Sequence, residues 1–220
     1  MRKQRNGGGS GGRRDTEPDW DYVFVEAHTV GQDDWTTLPD ANGHTSQDTG
    51  QSCVVIPLGD MHPWVKHYQT LSADGQSCTP TGTTGAWNAA TGRSAGWELW
   101  SIDLSAYAGK QVEVSIAYVS DPAVQGLGVF LDKVTVTTGA TSETTSFETG
   151  LDGWAVTGPP AGSPGNANNF IISQGGVFPE GAVITTRDTI YFGFGLEDVA
   201  GPGDRKSLIG RSVDYLLDRD

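Results

Sequence analysis

The stretch Gly126-Leu-Gly-Val-Phe-Leu-Asp-Lys-Val-Thr-Val136 is the part of the sequence on which the expected fold depends. Residues 129–136 are rich in β-branched and aromatic side chains and follow a pair of glycines, a pattern typical of a β-strand. Because side chains alternate across a strand, Asp132 is predicted to share one face with Phe130 and Val134. An acidic residue then occupies the more apolar row of the strand.

A carboxylate at this position needs a partner, because burying an unpaired charge costs several kcal/mol or more. Three partners fit Asp132: a Ca²⁺ ion, backbone N–H groups, or an arginine such as Arg93. The residues by themselves leave these alternatives open.

Composition favours the all-β class. The 220 residues include 31 glycines and 11 prolines, and few stretches have helical periodicity. The formal net charge of −13 argues against a nucleic-acid partner, since phosphates attract basic surfaces. No run of about 18 apolar residues occurs, so no membrane-spanning segment is predicted.

The two cysteines, Cys53 and Cys78, both follow Gln-Ser in polar, turn-rich surroundings. Their even number and loop placement predict a disulfide rather than two free thiols. A disulfide points to a secreted, extracellular protein.

The chain is predicted to have three regions. Residues 1–18 are rich in Gly and Arg and are expected to form a disordered leader. Residues 19–138 contain the strands of a β-sandwich, the clearest being 21–27 and 111–119, where apolar residues alternate. Residues 139–220 are expected to form a partial second β-module, with a strand at 189–195 and a helix at 205–217.

The order of the strand motifs resembles that of a known family. The motifs are Asp19-Trp-Asp-Tyr-Val-Phe-Val-Glu26, Trp35-Thr-Thr-Leu38, Ile102-Asp-Leu-Ser-Ala-Tyr-Ala-Gly-Lys110 and Gly128-Val-Phe-Leu-Asp-Lys-Val134. Together they resemble the jelly-roll module found C-terminal to immune inhibitor A-type metallopeptidases, which is related to MAM-like and carbohydrate-binding modules. Segments 185–197 and 205–217 resemble the C-terminal end of actinobacterial zinc carboxypeptidases that carry this module.

This resemblance implies an all-β jelly-roll β-sandwich with a small C-terminal strand-plus-helix appendage. Zinc carboxypeptidases of this kind need a His-x-x-Glu pair and a distant third histidine. None of the four histidines is followed by Glu at the third position: His28, His44, His62 and His67. We therefore expect a C-terminal fragment without the catalytic domain, in which the Gly-rich leader replaces the strand that normally precedes Asp19.

The resemblance also implies a structural Ca²⁺, held by carboxylates of the first and last strands with help from backbone oxygens. Asp132 matches the last-strand ligand, and Asp19 or Asp21 are the first-strand candidates. Glu148 is a candidate ligand of a second site. Any zinc would belong to the missing catalytic domain of the parent protein.

The expected role is that of a non-catalytic, Ca²⁺-stabilised accessory module of a secreted zinc metallopeptidase. Its partners would be the upstream peptidase domain and protein or glycan targets. The alternative is a free-standing carbohydrate-binding module, in which Trp87 and Trp100 stack on sugar rings. For the tryptophans at strand positions, including Trp97, core packing is the simpler expectation.

Overall fold

The structure, a computed structural model, describes residues 7–55, 57–124, 126–165, 169–172, 183–185, 190–192 and 206. The chain divides into two compact units, Met1–Ile172 and Ser173–Asp220. The strands described in each unit pair antiparallel, and the predicted all-β class is confirmed.

The first unit holds two main sheets. Its strands are β1 (Gly7–Asp15), β2 (Tyr22–Thr29), β3 (Thr36–Leu38), β4 (Thr70–Leu71), β5 (Cys78–Thr79), β6 (Glu98–Ile102), β7 (Val112–Val119), β8 (Gly128–Thr138) and β9 (Thr141–Thr145). One sheet has the order β6-β1-β8-β9 and the other β3-β2-β7, while β4 and β5 form a small pair. A short helix α1 (Leu58–Met61) and two 3₁₀ helices, Pro63–His67 and Ser105–Tyr107, complete the unit.

The two main sheets form a β-sandwich around one buried cluster. Val23 and Val25 of β2 contribute from the three-stranded sheet, and Trp100 and Ile102 of β6 contribute from the four-stranded sheet. Val129 of β8 packs against the same cluster. Apolar rows facing each other between twisted sheets are the standard way to bury such strands. The jelly-roll connectivity stays a prediction.

Strand β2 is buried on both of its faces. Tyr22 and Phe24, which alternate with the sandwich residues as predicted, belong to a second cluster with Leu58, Tyr68 and Trp87. The ring of Phe24 lies 5.1 Å from that of Trp87 between centroids. The long polar stretch 40–95 therefore covers the outer face of the three-stranded sheet.

The prediction of a disordered leader at 1–18 is wrong for its second half. Gly7–Asp15 forms β1 and pairs with both β6 and β8 at the centre of the four-stranded sheet. Glycine has no side chain to produce an alternating pattern, but its backbone N–H and C=O groups pair like those of any residue. Ion pairs of Arg14 with Glu98 and of Arg93 with Asp15 hold the end of this strand. The glycine-rich segment thus forms a strand before Asp19, where the sequence predicted none.

A β-bulge interrupts β8 at Lys133. Gly9 pairs with Thr135, whereas Gly11 pairs with Asp132, so β8 carries one additional residue there. Lys133 has a φ of 52°, in the left-handed region that bulged residues adopt. An additional residue reverses the alternation. The predicted shared face of Asp132 and Val134 is therefore wrong, and Val134 is buried.

The predicted boundary between the sandwich and the second module, at residue 139, also differs from the structure. Strand β9 pairs with β8 through Thr141–Thr145, so this segment belongs to the sandwich rather than to a second module. In the second unit, β10 (Val183–Thr185) pairs with β11 (Ile190–Phe192). Strand β11 lies within the strand predicted at 189–195. The predicted helix at 205–217 lies, apart from Lys206, outside the described residues.

Candidate functional site

Asp132 lies on the outer face of the four-stranded sheet. It pairs with Gly11, which on its other side pairs with the exposed Leu99. Oδ1 of Asp132 is buried and accepts no hydrogen bond from the described residues. Arg93, the arginine considered as its partner, instead donates to Oδ2 of Asp15 at 2.9 Å.

Asp21 immediately precedes β2 and is completely buried. Its Oδ2 accepts hydrogen bonds from the hydroxyl of Tyr118 at 2.9 Å and from the backbone N–H of Glu17 at 3.2 Å. Its Oδ1 has no hydrogen-bond partner among the described residues. Burial raises the pKa of Asp21, and the backbone N–H of Glu17, the hydroxyl of Tyr118 and the backbone N–H of Asp121 offset only part of that increase.

Glu17 and Asp121 lie beside Asp21, and we call these three residues the acidic cluster. Tyr22 of β2 pairs with Val119 of β7. Asp21, which precedes β2, therefore lies next to the turn after β7, which contains Asp121. Burial, followed by the negative charges of Asp121 and Asp21, raises the pKa of Glu17. Oδ1 of Asp121 accepts a hydrogen bond from the backbone N–H of Ala123 at 2.9 Å.

Sequence reasoning missed Glu17 and Asp121 as candidate site residues. The signal that could have found them is the pairing of the two clearest predicted strands, 21–27 and 111–119. An antiparallel hydrogen-bonded ladder between them brings Asp21 close to the turn that contains Asp121.

Two further predicted metal ligands, Asp19 and Glu148, are exposed at the surface. Asp19 is exposed with a φ of 67°, and its backbone oxygen accepts hydrogen bonds from the N–H groups of Gln51 and Ser52. Glu148 is exposed after the end of β9. Over the part of the chain that the structure describes, no group of three or more His, Cys, Asp or Glu is arranged to hold a metal ion as it stands. A shared ion between Asp132 and Asp19 or Asp21 stays a prediction.

The predicted disulfide is confirmed. Cys53 and Cys78 are bonded, with their Cα atoms 6.3 Å apart. The bond joins the segment before α1 to β5. Bonds of this kind form and persist in oxidising compartments.

The four histidines have local structural contacts rather than a shared site. His28 stacks on Trp35 with ring centroids 3.9 Å apart. Nε2 of His62 lies 3.3 Å from the carbonyl oxygen of Ser120, and burial lowers the pKa of this histidine. The other two contact acidic side chains: His44 that of Glu98, and His67 that of Asp33.

The tryptophans are distributed differently from the prediction. Trp87 is completely buried and Trp100 is 6% exposed, so neither can stack on a sugar ring, and both predicted stacking roles are wrong. Trp87 closes the second cluster, and its indole N–H donates to the carbonyl of Asp48 at 2.9 Å. Trp97, expected in the core, is 58% exposed.

A buried acid lies in the covered layer of the three-stranded sheet. The hydroxyl of Tyr68 donates a 2.6 Å hydrogen bond to Oε2 of Glu26. Burial raises the pKa of Glu26 to about 7, against the smaller lowering effects of the Tyr68 and Ser115 hydrogen bonds. The alternation of β2 predicted the face of Glu26 but not the layer that covers it.

Within the described residues, no helix is long and apolar enough to cross a membrane. No family model matches the chain, and no curated protein sequence matches it.

Proposed function

We propose that this chain is a non-catalytic accessory module, stabilised by Ca²⁺, from the C-terminal part of a secreted zinc metallopeptidase of carboxypeptidase type. The β-sandwich and the disulfide support an extracellular module of this class. The absence of a His-x-x-Glu pair from the sequence supports a role without peptidase chemistry. The module would support the stability of its upstream peptidase domain or bind that enzyme's targets.

The observation that carries the calcium proposal is the orphaned oxygen of Asp21. A carboxylate with one oxygen buried and without a hydrogen bond is costly, and two further carboxylates beside it add repulsion. Bound Ca²⁺ would supply positive charge and accept oxygen ligands. Asp21, Glu17 and Asp121 are the side chains that would hold it, with backbone and water oxygens completing six to eight ligands.

The experiment compares thermal unfolding of the whole chain in Ca²⁺ and in EDTA. Saturation at about 100 times the Kd stabilises by about 2.7 kcal/mol, which corresponds to a Tm increase of about 5–10 °C for a domain of this size. We expect Asp21→Asn to abolish this Ca²⁺-dependent increase. A wild-type Tm that does not differ between Ca²⁺ and EDTA would remove calcium from the proposal.

Two further variants locate the site. Asp132→Asn tests the ligand that the resemblance implies, and its effect should be smaller than that of Asp21→Asn if the acidic cluster binds the ion. Asp60→Asn is the matched control, since the Asp60 side chain is exposed in a surface ion pair with Lys66. This control should keep the full response to Ca²⁺.

A further inference from the structure

The central strand β1 of the four-stranded sheet consists largely of glycine, and this leaves part of the outer face of the sheet without side chains. Gly11 of β1 pairs with Leu99 on one side and with Asp132 on the other. Two residues further along β1, Arg13 pairs with Phe130. Residues paired in an antiparallel ladder point to the same face. The side chains of β6 and β8 therefore flank a strip at Gly11 that has no side chain of its own, a shallow furrow that we call the glycine furrow.

Two large apolar side chains border the glycine furrow in an exposed position. Trp97 is 58% exposed and Leu99 is 66% exposed. The indole of Trp97 lies over the strip, because a Cβ added at Gly11 would be 3.8 Å from its Cε3 atom. Adjacent exposed apolar side chains with polar neighbours are typical of a binding surface.

The charges around the furrow indicate what binds there. Arg13 and Asp132 place one positive and one negative group on the face, and Thr135 and Thr144, 2.7 Å apart between hydroxyl oxygens, add neutral polar groups. A polyanion is disfavoured by the net charge of −13, and so is a second copy of the same chain. A neutral ligand rich in hydroxyl groups matches this mixture of an aromatic ring, a charge pair and hydroxyls.

We propose that the glycine furrow binds a neutral polysaccharide. The apolar face of a sugar ring stacks on the indole of Trp97, since an exposed aromatic ring offers a large, rigid apolar surface. Sugar hydroxyls bind to Asp132, on the opposite side of the strip, and to Arg13, two residues further along β1. Because Gly11 has no side chain, the indole of Trp97 can lie close to strand β1, and a larger residue at this position would contact the indole. This binding is independent of the calcium proposal, because it uses no residue of the acidic cluster.

The test is affinity electrophoresis of the whole chain in gels containing soluble β-glucan, xylan or glucomannan, with a pull-down on microcrystalline cellulose. We expect retardation or retention by at least one of these neutral polysaccharides. Trp97→Ala should weaken that binding at least tenfold, and Trp97→Tyr should weaken it less because it keeps an aromatic ring. Heparin should cause no specific retardation.

The matched control is Leu127→Ala, because Leu127 is 61% exposed on the loop before β8, outside the furrow. It should bind like wild type, and Trp97→Ala should keep the wild-type Tm. Binding to none of the four neutral polysaccharides would overturn the proposal, as would equal effects of Trp97→Ala and Leu127→Ala. A dimer in sedimentation that Trp97→Ala dissociates would assign the face to a second copy instead. EDTA should leave polysaccharide binding unchanged, which separates this test from that of the calcium site.

Discussion

The hydroxyl of Tyr68 donates a 2.6 Å hydrogen bond to Oε2 of Glu26 inside the layer that covers the three-stranded sheet. Tyr68 follows directly after the 3₁₀ helix Pro63–His67 of the long polar stretch, whereas Glu26 belongs to the central strand β2. The bond therefore connects the cover to the sandwich. It also places a group with a pKa of about 7 at this junction.

We expect the stability of the module to fall with rising pH because of Glu26. Its folded-state pKa of about 7 exceeds the ordinary value of 4.5, so the folded state holds the proton more tightly. Glu26 therefore contributes about 3 kcal/mol to the free energy of unfolding. This contribution is fully present below pH 4.5 and is lost as pH rises through 7. Urea unfolding of wild type and Glu26→Gln between pH 5 and 8 measures this contribution. The free energy of unfolding should decrease more steeply with pH for wild type than for Glu26→Gln.

Two variants control this measurement. Tyr68→Phe removes a hydrogen bond that lowers the pKa of Glu26, so the loss of stability should move to higher pH. Asp60→Asn changes an exposed acid that does not contribute to the pKa of Glu26, and it should keep the wild-type profile. Parallel pH profiles for wild type and Glu26→Gln would contradict the prediction.

Loss of the Cys53–Cys78 bond should destabilise the module substantially. The bond closes a loop with a sequence separation of 25, for which the chain-entropy model gives about 3–4 kcal/mol. The double variant Cys53→Ser/Cys78→Ser and the reduced wild type should both unfold at lower urea concentration. A reduced wild type with an unchanged midpoint would show that the bond contributes little to folding.

Gly50→Ala should destabilise the fold by about 3 kcal/mol or more, since left-handed backbone and steric overlap both oppose a side chain. Gly50 has a φ of 58°, and an added Cβ would lie 1.9 Å from the hydroxyl oxygen of Tyr22. Gly43→Ala is the control, because Gly43 has a φ of 82° with nothing within 4 Å of an added Cβ. Gly43→Ala should lower the free energy of unfolding by only about 1–2 kcal/mol. Equal urea midpoints for the two variants would contradict the steric argument.

Local pattern predicted part of the candidate site and missed the rest. The faces of β2 and β7 followed from alternation, because each residue's direction along a regular strand is set by its immediate neighbours. The position of Asp132 did not follow, because the bulge at Lys133 depends on how β8 pairs with β1. Glu17 and Asp121 were missed for a related reason, since they meet only when β2 and β7 are in register.

The tryptophans illustrate the same limit. Composition cannot distinguish Trp87, buried by the cover over β2, from Trp97, exposed beside a glycine strand. Each follows a pair of small residues, Gly85-Ala86 before Trp87 and Ala95-Gly96 before Trp97. Only the arrangement of the sheets separates a core residue from a binding surface.

The all-β class, the alternating faces of β2 and β7, and a pair of cysteines suited to a disulfide could all be predicted from the sequence. These properties depend on local periodicity, composition and turn-rich placement. Tertiary structure alone decided that a glycine-rich segment becomes the central strand β1, that the bulge at Lys133 turns Asp132 outward, and that Asp21 meets Asp121. Each of these depends on hydrogen bonds and packing between strands far apart in the chain, which a local pattern cannot contain.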